Sequence, residues 1–575
     1  MKLSNDPHAL KVTAGLLLVG VLLFAPSFND PFHFDDVLIT NDTNVTNPAL
    51  WWHFFNPFHL RQLTFFTFYL NHLVGGLDPS GYHVVNVAIH IANAILLFLL
   101  LGRFVERWVA VAAAAVFLVH PVQTSAALYI YERSTLLACF FSLLALIAIA
   151  ERRTGWAAVF FVCAFEGKES AVGVPLVLAL LDAVAGFSPR LSTPERGLKP
   201  ATTYSRFALF FGVAIMAIAA LALLLYLNER TVGLGAAERT TPFRYFVTET
   251  RVAFTYMRLL VVPWPQSLEY DFQNAGGVLS VLGVIAVVLI GWLCYRSARF
   301  RIPGLCILAF FILLAPTSSI IPSADAAFEH RLYIPMLAFA VFAATLFARI
   351  PQRSVLTAAV LIALVILTVR RETVWSSDIA LWEDTAPKAP GKARVWFNLG
   401  GAYLNTDTDK ARTALLRALA LQPHFTEALY DLGVIEQGKK NWNMALAYYE
   451  QAVAEQPTYW PAWNNMANTL FALGQHDRAK DYLETTLRLN PDYWPAQYNL
   501  AIIHFTSGRY TDAVPKLRTV LDWQPEFREA RYLLATSLTR AGDRQSADAE
   551  WKKLGAVNAA ESRTTPTMIL APSRP

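Results

Sequence analysis

The sequence predicts an all-α protein in which a polytopic membrane domain is followed by a tetratricopeptide-repeat α-solenoid. Three observations support this fold class. Of the 575 residues, 55% are hydrophobic and 16% are charged, whereas an average soluble domain carries about 25% charged residues. Long apolar runs extend from Val12 to Val369, and the sequence turns polar from Arg370 onward. Within the polar part, several residue types recur with a period of 34.

Apolar runs fill the first region, and a membrane-spanning helix needs roughly 20 such residues. Residues 1–28 lack a clear cleavage site, so we interpret them as an uncleaved first span. About 11 spans are expected in all. Their predicted bounds are 12–28, 83–102, 108–121, 126–150, 156–167, 170–187, 206–227, 277–295, 303–320, 332–349 and 354–370. Several are short, as happens where a site cuts into the membrane, and 243–262 is predicted to be an amphipathic surface helix.

Basic residues predict the orientation of these spans. With the N-terminus inside, every inner turn is basic, as the positive-inside rule requires. The residues are Arg103, Arg107, Arg152, Arg153, Arg190, Arg196, Lys199, Arg206, Arg296, Arg299, Arg301, Arg349 and Arg353. Because the predicted number of spans is odd, the C-terminal third then lies outside, like the long first outer loop at 29–82. This placement of basic residues indicates no nucleic-acid partner, and four cysteines in apolar segments indicate no disulfide framework.

The 34-residue period identifies the repeats. Proline recurs at 423, 457, 491 and 525, and alanine at 445, 479, 513 and 547. Two helices per 34 residues are typical of the tetratricopeptide repeat. We therefore divide the chain into a membrane domain at 1–371, a linker at 372–392, repeats at 393–557 and a disordered tail at 558–575.

One position on the first helix of each repeat is polar in four units. It is occupied by Asn398, Asp431, Asn465 and Asn499, then by Leu533. We call these four residues the polar file. Asparagine is common at this position of the repeat, so the polar file could be purely structural. Alternatively, the side chains bind the backbone of an extended peptide, since an amide offers both a donor and an acceptor.

An acidic pair, Asp35-Asp36, follows the first predicted span. Such carboxylates could simply be solvated at the membrane surface. They could also take a proton from a hydroxyl group or hold a divalent cation such as Mg²⁺ or Mn²⁺. No other metal ligands are predicted.

Further polar residues interrupt the apolar runs. His83, Asn86 and His90 share one face of a helix, where hydrogen bonding between spans is the plainer interpretation. The other candidates are His120, Arg133, Lys168, Glu169, His330 and Arg331. Each could be an interfacial residue or part of a structural ion pair. Together they bring several cations to the side of the acidic pair, where they could bind a lipid phosphate.

These residues lead to a known family. The chain resembles the transmembrane and tetratricopeptide-repeat protein O-mannosyltransferases of the class C glycosyltransferase superfamily, and their bacterial relatives. The resemblance covers about 12–557 and rests on Phe34-Asp35-Asp36, Leu63-Thr64 to Leu70-Asn71, Tyr82-His83 to His90, His120-Pro121, Tyr129 to Arg133, Lys168-Glu169 to Pro175, Pro263-Trp264-Pro265 and His330-Arg331-Leu332-Tyr333 to Pro335.

The resemblance implies a polyprenyl-phosphate sugar donor and Ser or Thr acceptors on proteins. Asp35 and Asp36 match the family's acidic motif, whose first acid is expected to be the general base. Lys168 and Arg331 match its basic positions, and we predict that they bind the donor phosphate with His330 and Arg133. The departures are Gln62, where the family often has proline, and Ser125, where it tends to have glutamate.

The sequence thus predicts an inverting glycosyltransferase, with the solenoid presenting the protein acceptor at the outer face. A bacterial inner membrane with periplasmic repeats is expected, or an endoplasmic reticulum membrane with lumenal repeats in a eukaryote. Two alternatives stay open. One is a non-catalytic scaffold for envelope assembly, and the other is an enzyme of this class that modifies a glycan or lipid.

Overall fold

The computed structural model describes residues 6–47, 49–50, 52, 61–178, 241–272, 277–318, 325–555 and 567–571. The described elements are all helical, which confirms the predicted fold class. The chain forms two compact units, Met1–Ala389 and Pro390–Pro575. The predicted span at 206–227 and half of that at 170–187 lie outside the described residues.

The first unit is a set of packed helices. Its α-helices are Pro7–Phe24, Val37–Thr40, Thr43–Thr46, Gln62–Gly75, Pro79–Leu101, Arg107–Val119, Thr124–Ala127, Arg133–Ala150, Thr154–Gly167, Pro242–Val261, Val278–Arg296, Arg301–Leu314, Pro335–Phe347, Arg353–Trp375 and Asp378–Thr385. Short 3₁₀ turns lie at Phe34–Asp36, Pro121–Gln123, Ile130–Glu132, Glu169–Val172 and Glu329–Leu332. They carry five of the predicted site residues, namely Asp35, Asp36, Glu169, His330 and Arg331.

Local chemistry explains where several helices begin. Pro7 and Pro79 occupy first-turn positions, where the missing N–H is not needed. Asp6 and Asp78 precede them and accept main-chain N–H groups as N-caps. Pro121 has the opposite effect: it interrupts the apolar run, and the helices on either side of it meet at 51°.

Five described helices are long and apolar enough to cross a membrane, and the bent pair around Pro121 would make a sixth. Helices Thr154–Gly167 and Pro335–Phe347 have only 14 and 13 residues. At 1.5 Å per residue they are about 20 Å long, less than the roughly 30 Å of a hydrocarbon core. Lys168 follows the first, and His330 and Arg331 precede the second, so candidate site residues lie at the ends of short helices. Pro242–Val261 does not qualify as a span.

Ion pairs place three of the predicted inner turns, those with Arg103, Glu151 and Arg353, at one end of these helices. Arg107 contacts Asp6 at 2.6 Å, Arg103 contacts Glu151 at 2.7 Å and Arg353 contacts Glu106 at 3.0 Å. The acidic motif comes after the opposite end of helix Pro7–Phe24, about 27 Å away along the helix. The basic turns and the acidic motif therefore lie at opposite ends of the first unit.

The predicted linker at 372–392 is instead largely part of the first unit. Helix Arg353–Trp375 runs into it, and helix Asp378–Thr385 follows. Arg371 forms an ion pair with Asp384 at 2.8 Å, and Lys388 donates to the Gln266 carbonyl at 2.6 Å. Buried Trp375, Leu381 and Trp382 explain the difference, because their apolar surface packs rather than remaining in a flexible connection.

The second unit consists of five antiparallel helix pairs. Their helices are Ala393–Tyr403, Thr408–Leu421, Thr426–Gly438, Trp442–Glu455, Trp460–Ala472, His476–Leu489, Trp494–Thr506, Tyr510–Trp523, Arg528–Ala541 and Arg544–Leu554. Recurring small residues permit close packing: a Cβ on Gly433 would lie 2.4 Å from the ring of Tyr449. Residues 567–571, which the sequence placed in a disordered tail, are instead bound to this unit through main-chain hydrogen bonds.

Candidate active site

The acidic motif is a strained turn. Phe34 adopts a positive φ of 47°, and its ring contacts Tyr129 and Trp382. A bulky residue in this conformation costs on the order of 1–3 kcal/mol. His33, just before it, contacts the Trp375 carbonyl at 2.6 Å and Asp378 at 2.8 Å. Trp375 and Asp378, which precede the repeats in the chain, therefore help to fix the position of the motif.

The two acids of the motif are in different environments. Asp36 is fully buried, and its two carboxylate oxygens accept N–H groups from His33 at 2.9 Å and Tyr131 at 2.7 Å. Burial raises the pKa of Asp36 to about 7, although these hydrogen bonds oppose the shift. Asp35 is partly exposed, and its main-chain N–H donates to the Tyr129 hydroxyl at 3.1 Å. Asp36 is therefore enclosed and bound by main-chain donors, whereas Asp35 is partly exposed.

Tyr129 to Arg133 form a hub between the acidic motif and the predicted cations. Tyr129 and Tyr131 contact the motif. Glu132, next in the chain, binds the Lys168 ammonium group at 2.7 Å and His330 at 3.3 Å. Lys168 also donates to Thr135 at 2.8 Å. Sequence reasoning missed Glu132, although a carboxylate inside a predicted span was itself a signal.

A small pocket of about 10 Å³ lies beside this hub. Its lining residues are Thr135, Lys168, Ser170, Leu313, Thr317, His330, Arg331, Ile334 and Pro335. Lys168 and Arg331, both predicted to bind phosphate, therefore share one pocket. Among the described residues, Lys168 uses two of its three N–H groups, on Glu132 and Thr135. The Arg331 guanidinium donates to the carbonyls of Asp325 and Ala326, each at 2.8 Å, which fixes its position.

His330 lines the pocket, but its environment disfavours the predicted phosphate contact. Burial lowers the pKa of His330 to about 3, and nearby Lys168 and Arg331 act in the same direction, against the charge of Glu132. A neutral ring offers no positive charge to a phosphate, and the Nε2 atom of His330 lies 3.3 Å from Glu132. The structure therefore favours a role for His330 in orienting Glu132.

Arg133 is enclosed, which also differs from the predicted phosphate-binding role. Its guanidinium donates to Asn86 at 2.7 Å, Asn71 at 2.5 Å, the Tyr82 carbonyl at 3.0 Å and the Thr67 carbonyl at 3.2 Å. The residue is fully buried. Since protein groups surround its donors, Arg133 holds the hub in place and does not face a ligand.

The predicted polar stripe hydrogen-bonds between helices. His83 contacts the Asp30 carbonyl at 3.1 Å, and Asn86 donates to the Ile130 carbonyl at 3.3 Å. His90 contacts the Leu118 carbonyl at 3.0 Å and the Tyr333 hydroxyl at 2.7 Å. These contacts fit the plainer interpretation of the stripe.

The remaining supporting residues are also held by protein groups. His120 accepts the Val122 N–H at 3.3 Å and contacts the Leu260 carbonyl at 3.1 Å. Glu169 receives two hydrogen bonds from Arg61, at 2.6 and 3.2 Å. This paired geometry fixes the turn that carries Lys168.

Glu329 supports the turn that carries His330 and Arg331. Glu329 accepts the Ser267 N–H and the Gln266 amide, both at 2.8 Å, and the Tyr270 hydroxyl at 2.5 Å. Gln266 and Ser267 follow the motif Pro263-Trp264-Pro265. The residues after this motif therefore hold the turn that carries His330 and Arg331.

The described residues contain no group of three or more His, Cys, Asp or Glu side chains that could hold a metal ion. The acidic pair fits Mg²⁺ or Mn²⁺ poorly, because both oxygens of Asp36 already accept N–H groups and such ions need several free oxygen ligands.

The predicted polar file of the repeats forms a second site. Asn499 and Asn465 hydrogen-bond the main chain of Ile569 and Ala571. Asn464, Asn468 and Tyr430 also take part and were missed. Asn398 and Asp431 are buried at the equivalent positions of the earlier repeats. Their binding of an acceptor peptide stays a prediction.

Comparison with known proteins gives a family model and several relatives. The tetratricopeptide repeat model matches residues 405–459, 464–522 and 504–551. A protein O-mannosyl-transferase of Caenorhabditis elegans is 24% identical over 400 residues, which cover 64% of this chain and 54% of that protein. The protein O-mannosyl-transferase TMTC3 of Mus musculus is 25% identical over 450 residues, 70% of this chain and 48% of that protein. The chain thus spans about half the length of these curated relatives, and their names confirm the predicted resemblance.

Two solved structures cover less than a third of the chain. The crystal structure of the MamA protein is 22% identical, with a TM-score of 0.27, and covers 28% of this chain and 89% of that chain. The tetratricopeptide-repeat protein YrrB is 18% identical, with a TM-score of 0.27, and covers 30% of this chain and 90% of that chain.

Proposed function

We propose that this chain is a membrane glycosyltransferase that moves a sugar, mannose in the first instance, from a polyprenyl-phosphate donor to Ser or Thr hydroxyls of proteins. The observation that carries the proposal is the hub Tyr129–Arg133. It connects the acidic motif on one side to the pocket containing Lys168 and Arg331 on the other. The names of the relatives support transfer to protein.

The donor phosphate is proposed to bind in the pocket. Lys168 would contribute a positive charge and its remaining N–H, while Arg331 would contribute a fixed guanidinium. Positive charge near the phosphate stabilises the negative charge that develops on the leaving oxygen. Glu132 would keep Lys168 charged in this buried place and hold its ammonium group in position.

Asp35 is proposed to be the general base. The acceptor hydroxyl oxygen forms a bond to C1 of the sugar while the bond between C1 and the phosphate oxygen breaks. The hydroxyl proton moves to the Asp35 carboxylate, and the electron pair of the broken bond leaves with polyprenyl phosphate. A single displacement of this kind inverts the configuration at C1. Asp36 and Tyr129 act as positioning residues, because they fix the turn on which Asp35 sits.

The outer face of a bacterial inner membrane is the proposed location. Basic turns are retained inside, and in this structure they lie at the end opposite the acidic motif. His33, two residues before Asp35, contacts Trp375 and Asp378, which precede the repeats in the chain. The repeats are proposed to bind the protein acceptor on the same side.

A transfer assay on the full chain tests the proposal. The purified protein in nanodiscs receives polyprenyl-phosphate mannose and a peptide rich in Ser and Thr, and glycopeptide is measured by mass spectrometry. We expect Asp35→Asn to lower kcat by about 10²–10⁴, the usual contribution of a general base, with an unchanged unfolding midpoint. The matched control is Asp78→Asn, because asparagine also serves as an N-cap.

Each other outcome identifies an alternative. Equal turnover by the wild type and Asp35→Asn would contradict the base assignment. Donor consumption without glycopeptide would support an enzyme that modifies a glycan or lipid. Donor that stays intact with wild-type protein would support the scaffold.

A further inference from the structure

Five residues near the C-terminus occupy the inner surface of the repeats. Thr567 to Ala571 lie along the first helices of successive repeats, where the asparagines of the polar file are found. We call this surface the asparagine groove and define it by Tyr430, Asn464, Asn465, Asn468 and Asn499. Every one of these side chains hydrogen-bonds the main chain of the tail.

Ile569 is bound at both of its main-chain groups. Its N–H donates to Asn499 Oδ1 at 2.7 Å, and its carbonyl accepts Asn499 Nδ2 at 2.8 Å. Asn468 and Asn464 donate to the same carbonyl at 2.9 and 3.2 Å. One side-chain amide thus pairs with both polar groups of one residue, as a neighbouring strand would.

Ala571 is bound in the same manner two residues later. Its N–H donates to Asn465 Oδ1 at 2.8 Å, and its carbonyl accepts the Tyr430 hydroxyl at 2.8 Å. Asn465 also donates to Tyr430 at 2.7 Å, which orders the pair. Binding at residues i and i+2 fits an extended chain, in which every second residue faces the same way.

Side chains of the tail add a limited selectivity. Met568 and Ile569 pack against the apolar cores of the last repeats. Ala571 is 5% exposed, so only a small side chain fits there. Leu570 is 46% exposed, so many side chains fit at its position. The groove therefore fits an extended segment with an apolar residue followed, two positions later, by a small one.

We propose that the asparagine groove is a peptide-binding site that reads main chain, and that the chain's own residues 567–571 occupy it as an internal competitor. Its partner in trans is an extended peptide of another protein, with an apolar residue and a small residue two positions later. Main-chain hydrogen bonds are available to any such segment, so the tail can be exchanged for it. An internal segment has an effective concentration on the order of millimolar, so the tail raises the concentration of external peptide needed. This inference goes beyond sugar transfer and holds or fails without it.

Peptide binding to the full chain in nanodiscs, without sugar donor, tests the inference. The probe is a fluorescent synthetic peptide with the sequence of residues 564–574. Ile569→Asp in the full chain places a charge against the apolar core and releases the tail. We expect this variant to bind the probe at least about tenfold more tightly than the wild type, because the internal competitor is gone. A probe that itself carries Ile569→Asp should not bind.

Groove variants complete the design. Added to Ile569→Asp, the changes Asn499→Ala and Tyr430→Phe should each weaken probe binding, and Asn490→Ala, at a helix end outside the groove, should not. Tyr430→Phe keeps the ring packing, so it stays informative if Asn499→Ala unfolds the repeats. Equal affinity of the wild type and Ile569→Asp would overturn the internal competitor. The peptide site would be overturned if Tyr430→Phe left the affinity for the probe unchanged, or if Ile569→Asp did not bind the probe.

Discussion

Replacing Glu132 with glutamine would leave the Lys168 ammonium group without its counter-charge in a place that water hardly reaches. The Glu132 and Lys168 side chains are 6% and 9% exposed, and their charged atoms are 2.7 Å apart. Glutamine keeps the size of the side chain, removes the charge and replaces one acceptor oxygen with an NH2 donor. The substitution therefore removes the counter-charge of Lys168 without leaving a cavity.

The expected magnitude follows from this distance and burial. At an effective dielectric constant of about 20, two unit charges 2.7 Å apart attract each other by about 6 kcal/mol. The cost of removing both ions from water offsets part of this attraction. Removing one partner of a buried pair nevertheless destabilises a protein by about 3–5 kcal/mol, because the other charge stays buried.

Thermal unfolding of the full chain in nanodiscs measures the effect. The matched control is Glu151→Gln, since Glu151 is 42% exposed and pairs with Arg103 at 2.7 Å near the surface. Such a pair contributes about 0–1 kcal/mol. Glu132→Gln should lower the unfolding midpoint well below that of the control. Adding Lys168→Met should recover part of the loss, because no charge is then left unpaired. Equal midpoints for Glu132→Gln and Glu151→Gln would refute the reasoning.

Three further predictions concern the rest of the molecule. Arg133→Lys should reduce folded yield because lysine cannot reproduce the guanidinium fork; unchanged yield with a raised donor KM would instead indicate phosphate binding. Gly433→Ala should destabilise the repeats by about 1–3 kcal/mol through overpacking, as measured by thermal unfolding against Gly438→Ala, where no atom lies within 4 Å. Burial lowers the pKa of His33, but the hydrogen bond and charge of Asp378 outweigh this and raise it. The midpoint difference between wild type and Asp378→Asn should therefore be full below about pH 6.5 and shrink as pH rises; a difference that grows with pH would contradict this.

Periodicity and apolar length were enough to predict the architecture. The 34-residue interval between prolines such as Pro457 and Pro491 predicts the helix pairs, and the length of the apolar runs predicts the membrane spans. The linker could have been predicted better. Trp375 and Trp382 are large aromatic residues in the segment predicted to be a linker, and both are buried.

The candidate site was only partly visible in the sequence. Lys168 was chosen because a charge between apolar runs needs a partner, and Glu132 satisfied the same criterion but lay inside a predicted span. Arg133 and His330 could not be assigned from sequence, since their roles depend on which protein groups surround them. The different environments of Asp35 and Asp36 depend on the main-chain N–H groups that bind Asp36. The residue types in the sequence do not show where such groups lie.

The most direct test of the central claim is comparative glycoproteomics of three strains: one lacking the gene, one carrying the wild type and one carrying Asp35→Asn. We predict that hexose on Ser and Thr of a defined set of envelope proteins disappears in the null strain and in the Asp35→Asn strain, while the variant protein accumulates at wild-type level. Identical glycoprotein profiles in the null and wild-type strains would contradict the account.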